Sequence, residues 1–163
     1  MSAARDRRYD LPMAQWRSSE SQDDEAIVAM SVDLYYRKPP PEGVSESQVR
    51  ATLAMFRAQP VRGRAIVLDN DGRCAGYAFL VSFWSNELGG EICTVDELYI
   101  VTELRGQGHG TQLLASLQSG TELWPGRPVA LELEVAPGNR RARVLYERLG
   151  FREKRNATMR LRR

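Results

Sequence analysis

The sequence predicts an α/β fold: a central mixed, mostly antiparallel β-sheet of about six to seven strands flanked by helices on both faces. Three observations carry that expectation. Two apolar runs flank Asn70-Asp71-Gly72, which is a hairpin signal. Two earlier segments repeat apolar residues at helical spacing. Later, strand-like and helix-like segments alternate, with a glycine-rich turn between one such pair.

In chain order, Met13-Ala14-Gln15-Trp16 reads as a first strand. A helix is expected from Asp23 to Tyr35, with Ile27, Val28, Val32 and Tyr35 on its apolar face, and Pro39-Pro40-Pro41 breaks it. Ser45 to Ala58 forms a second helix through Val49, Leu53 and Phe56, and Pro60 stops it. Arg64 to Leu68 and Cys74 to Trp84 are the hairpin strands. Ser85 to Gly90 is a second turn, and Glu91 to Val101 is the central strand. Thr111 to Leu117 is a helix burying Leu113, Leu114 and Leu117. Val129 to Val135 is a further strand, followed by a helix from Asn139 to Leu149 with Gly150 as its C-terminal cap. The segment Phe151 to Arg163 is expected to hold two short strands around Asn156.

The 163 residues fit a single domain, expected at 11–163 after a flexible tail at 1–10. A net charge of +2 implies no global attraction to nucleic acid or membrane. No apolar run is long enough to span a bilayer, and the polar N-terminus lacks the apolar core of a signal peptide. Cys74 and Cys93 have no C-x-x-C spacing, and one histidine cannot complete a zinc site, so no metal is expected. Free thiols in a reducing cytoplasm are the simplest reading.

The chemistry concentrates in two motifs. Arg105-Gly106-Gln107-Gly108-His109-Gly110 follows the β-prone run Leu98-Tyr99-Ile100-Val101 and precedes a helix. Its glycines let the backbone approach a ligand closely, and the helix N-terminus beyond them, with Arg105, suits a phosphate. Thr111 breaks the G-x-G-x-x-G dinucleotide pattern, and no G-K-[ST] triplet exists. Alone, this could be a tight turn with no ligand. In the second motif, Asn139, Ala142 and Tyr146 share one helical face, with Pro137-Gly138 before them and Gly150 after. Alone, this could be an ordinary amphipathic helix.

Together and in this order, the two motifs resemble the acyl-coenzyme A signature of the GNAT N-acetyltransferase superfamily, from about Cys93 to Phe151. The resemblance implies transfer of the acetyl group of acetyl-CoA to a primary amine. It implies that Glu97 is the catalytic base, acting through ordered water; an ion pair or a helix-terminus contact is the alternative. In a regular strand Asp96 faces the opposite way, but the superfamily tends to have a bulge here. It implies that Tyr146 protonates the departing thiolate, against a purely structural role. Leu98 N–H would hold the oxyanion, and Tyr99 and Ile100 would extend the strand's bonds to the pantetheine arm. Gly106 and Gln107 to Thr111, including Gly108, His109 and Gly110, would cradle the pyrophosphate, and Asn139 would bond the arm. Arg140, Arg141 or Arg143 would meet the ribose 3′-phosphate, unless they form a solvated basic face.

Acceptor-site candidates are Trp84, Asn86, Glu87, Glu132 and Glu134. The two last carboxylates favour a small cationic amine, although a polar covering of that strand face explains them as well. Transfer through Cys93 is the lesser route, since direct transfer needs no nucleophile. The resemblance leaves a homodimer open. It also leaves open a non-catalytic acyl-CoA sensing module and a protein or peptide N-acetyltransferase.

Overall fold

The structure, a computed structural model, describes residues 14–36, 43–156 and 158–161. The expected N-terminal tail, Met13 and the proline break at 39–41 lie outside the described residues. The chain divides into two compact units, one ending at Leu133 and the other beginning at Glu134.

The first unit holds β1 (Gln15–Ser18), α1 (Asp24–Tyr36), α2 (Glu46–Ala58), β2 (Gly63–Asn70), β3 (Arg73–Ser85), β4 (Gly90–Ile100), α3 (His109–Ser119) and β5 (Ala130–Leu133). The strands form one sheet in the order β1-β2-β3-β4-β5. All neighbours are antiparallel except β4 and β5, which run parallel. The mixed, mostly antiparallel sheet is therefore as expected, with five strands among the described residues rather than about six to seven.

Local chemistry sets these elements. Asp71 and Gly72 both have positive φ, 57° and 78°, as a two-residue type I′ hairpin turn requires. At the start of α2, Gln48 N–H donates to Ser45 Oγ at 3.3 Å and Ser45 N–H donates to Gln48 Oε1 at 2.8 Å, a capping box. Before α1, Arg17 on β1 bonds Asp23 and Asp69, each at 2.7 Å, and so ties the helix entry to the β2–β3 hairpin.

Strand alternation sorts the core into two layers. Ala65, Val67, Tyr77 and Phe79 pack against Ile27, Val28 and Met30 of α1 and Val49, Leu53 and Phe56 of α2. The intervening Ile66, Leu68, Ala78 and Leu80 are fully buried on the other face. There α3 buries Leu113, Leu114 and Leu117, and Trp16 Nε1 donates 3.0 Å to the His109 carbonyl.

The second unit holds α4 (Arg140–Arg148). The two strands expected around Asn156 are absent from the described residues.

Candidate active site

The sheet opens beside β4. Pairing of β4 with β3 continues to Ile100, but β5 covers it only from Ile92 to Val95. Among the described residues, no strand of the sheet pairs with that edge of β4 beyond Val95. The register slips at the same place: Phe79 opposes Glu97 and Leu80 opposes Val95, which leaves Asp96 as a bulge. The bulge reverses the alternation. Val95 shares a face with Leu80, whereas Glu97 shares one with Phe79, toward α1 and α2.

Val101 N–H donates 2.9 Å to the Ala75 carbonyl of β3. In an antiparallel strand a residue's N–H and C=O point to one side, and the side alternates. The polar backbone groups of Leu98 and Ile100 thus point to the uncovered edge, and those of Tyr99 point to β3. The Ile100 carbonyl accepts from Arg105 Nε at 2.6 Å, in keeping with that direction. The backbone groups of Leu98 and Ile100 are therefore open to a ligand at that edge, whereas Tyr99 can reach it only through its side chain.

A short 3-10 turn (Thr102–Leu104) leads into the glycine turn. Gly106 and Gly108 have φ of 81° and 90°, which only glycine adopts without strain. Gly108 caps α3 and brings no side chain to its N–H groups. A Cβ at Gly108 would meet no atom within 4 Å, and one at Gly110 only Leu98 Cδ2 at 3.9 Å. First-turn amides have no helical partner, and no acidic residue occupies this turn. That donor set fits an anionic pyrophosphate. Gln107 is exposed and its amide donates 2.9 Å to the Glu103 carbonyl, while Thr111 is half-buried. His109 Nε2 is buried without a partner among the described residues, and the His109 carbonyl is engaged by Trp16.

Glu97 is 8% exposed. Its Oε2 accepts from Tyr77 Oη at 2.6 Å and from Ser31 Oγ of α1 at 3.1 Å. Burial, then the charge of Glu97, push the Tyr77 phenol far above its ordinary range. Tyr99 Oη donates 2.7 Å to Asp33 Oδ2 of α1, and its ring stacks on Tyr77. These partners are hydroxyls rather than the ion pair or helix terminus weighed for Glu97. Sequence reading did not single out Tyr77, Ser31 or Asp33. The available signal was Tyr77 inside the apolar run Ala75 to Leu80, because a buried phenol needs an acceptor.

In the second unit, Asn139 caps α4, its Oδ1 accepting from Ala142 N–H at 3.2 Å. Gly150, at φ 95°, ends the helix. Phe151 N–H bonds the Tyr146 carbonyl and Gly150 N–H bonds that of Glu147, each at 3.0 Å, a Schellman motif. Its apolar contact is Tyr146 on Phe151, with centroids 5.8 Å apart. Burial raises the Tyr146 phenol above its ordinary range. Arg141 is exposed, and Arg143 pairs with Glu153 at 3.3 Å.

The acceptor candidates of the first unit do not converge on one face. Trp84, Asn86 and Glu87 are exposed at the β3–β4 hairpin. Trp84 opposes Glu91 and lies on the face away from Glu97; its neighbour Phe83, opposing Ile92, is on the Glu97 face. Glu132 opposes Thr94 on the face toward α1, and Glu134 is exposed in the second unit. Cys93 is fully buried, which pushes its thiol up to about 12 and disfavours a thiolate there. No group of His, Cys, Asp and Glu among the described residues could hold a metal, and no helix there is long and apolar enough to cross a membrane.

The model of the acetyltransferase (GNAT) family matches residues 28–151. No curated protein sequence matches the chain. Solved structures share the fold. A possible acetyltransferase from Clostridium difficile 630 superposes with a TM-score of 0.75 at 16% identity, covering 92% of this chain and 97% of that one. A ribosomal-protein-alanine N-acetyltransferase from Brucella melitensis biovar Abortus 2308 gives 0.65 at 18%, covering 92% and 99%. A glucosamine-6-phosphate N-acetyltransferase from Arabidopsis thaliana gives 0.63 at 13%, covering 91% and 98%.

Proposed function

The chain belongs to the acetyltransferase (GNAT) family, and from that premise we propose that it transfers the acetyl group of acetyl-CoA directly to a small cationic primary amine. The observation that carries this reading is the uncovered edge of β4 beyond Val95, which leads through Leu98 and Ile100 to the glycine-capped N-terminus of α3.

Bound acetyl-CoA supplies an activated thioester. Leu98 N–H donates to the carbonyl oxygen as it gains charge. Ile100 N–H holds the pantetheine arm, Gln107 to Thr111 and Arg105 hold the phosphates, and Asn139 and Arg141 complete the donor contacts. Glu97 removes the amine proton, directly or through water; an alkylamine, with pKa near about 10.4, is otherwise protonated at neutral pH. The freed nitrogen pair then forms the C–N bond. Tyr146 gives its hydroxyl proton to sulfur as the C–S bond breaks, and the proton that the nitrogen sheds on becoming an amide returns to the phenolate. The carboxylates Asp33, Glu97 and Glu132, all on or against the α1 side of the sheet, favour a positively charged acceptor.

The test is thiol release from acetyl-CoA against a panel of amines, with Tyr146→Phe alongside. Release that needs an amine and falls about 100-fold in the variant is expected. Acetyl-CoA binding by calorimetry without release for any amine would instead favour the sensing module.

A further inference from the structure

Arg105 is exposed, yet its guanidinium is held in place. Nε donates to the Ile100 carbonyl at 2.6 Å, and Cζ lies 5.1 Å from the centroid of the Tyr99 ring. Among the described residues, no partner engages either Nη group. Tyr99 is itself fixed. Its hydroxyl donates to Asp33 of α1 at 2.7 Å, and its ring stacks on the fully buried Tyr77, centroids 6.3 Å apart and 20° from parallel.

We propose that Tyr99 is a positioning residue: its ring, pinned by Asp33 and Tyr77, presents the Arg105 guanidinium as a preset fork for the pyrophosphate of the acyl donor. The inference rests on the donor site proposed above. The reason is entropic. An unsupported arginine loses its rotamer freedom on binding an anion, whereas one already laid flat on a ring loses less. The backbone of Tyr99 faces β3, so the side chain is the only part of this residue that can act at the uncovered edge.

The test is calorimetry on the full chain with CoA and with pantetheine, which lacks the phosphates. The wild type is expected to prefer CoA. Tyr99→Leu should weaken CoA about fivefold, the scale of an exposed cation–π contact, and leave pantetheine unchanged. Tyr99→Phe keeps the ring and should keep most of the affinity. In an Arg105→Ala background Tyr99→Leu should cost nothing more, which a merely structural role would not produce. Additive losses, or equal losses for CoA and pantetheine, overturn the inference. If Tyr99→Leu fails to fold, Arg105→Lys decides. Lysine keeps the charge without the flat stack, so its CoA affinity should drop to that of Arg105→Ala, and wild-type affinity would overturn the inference. A wild type with no preference for CoA over pantetheine overturns the donor site itself, and the inference with it.

Discussion

The Tyr77 hydroxyl donates a 2.6 Å hydrogen bond to Glu97 Oε2 within the layer between α1 and the β3–β4 pair. Ser31 supplies a second donor to the same oxygen. The carboxylate is thereby held in one orientation at the bulge where β4 leaves its β5 partner. Tyr77→Phe should destabilise the fold by about 1–3 kcal/mol, since it leaves a buried acceptor less satisfied. It should also lower kcat while leaving the KM for acetyl-CoA near wild type. Urea denaturation and steady-state kinetics measure both, and unchanged stability with unchanged kcat would count against this role.

Tyr146 has two separable parts. Its ring closes the α4 cap against Phe151, and its hydroxyl is the proposed acid. Tyr146→Phe should therefore keep wild-type stability and lose turnover. Tyr146→Ala should lose both, with about 1 kcal/mol or more of stability gone with the ring contact. Thermal melts set beside thiol-release rates separate the two; equal melting losses in both variants would contradict the division.

Gly108→Ala places a methyl group in open space but at φ 90°. The cost should be backbone strain of about 1–2 kcal/mol rather than a clash. The same methyl group would intrude on the proposed phosphate cradle at the start of α3, so CoA affinity should fall further than stability does. Calorimetry and melting of this one variant give both numbers, and unaltered CoA affinity would argue against the cradle.

The Arg17–Asp23 contact sets an acid limit on stability. The bond to Arg17, together with the Glu20 N–H, holds the Asp23 carboxyl below its ordinary value despite its burial. A depressed carboxyl stabilises the fold above its unfolded pKa, about 3.9, and that stability is lost as pH falls through the lower folded value. Melting temperature should accordingly drop below about pH 4. Asp23→Asn should be less stable at pH 7 and flatter across that acid range.

What was legible in the sequence was mostly local. The Asp71-Gly72 turn, the Ser45 cap and the Gly150 stop are each set by residues within one turn of chain. The site was only partly legible. Period-2 counting puts Trp84 and Glu97 on different faces only once the Asp96 bulge is known, and the bulge is fixed by pairing with β3. The partners of Glu97 lie 20 and 66 residues away, so their contact is a property of the sheet and its covering helix.

The proposed acyl donor lies along the uncovered edge of β4 and ends at the N-terminus of α3. Backbone amide NMR during a CoA titration tests this most directly. The amides of Leu98 and Ile100 and those from Gln107 to Thr111 are expected to shift together and saturate at one dissociation constant, while those of β1 and β2 stay in place. Saturable CoA binding that left these amides unmoved would contradict it.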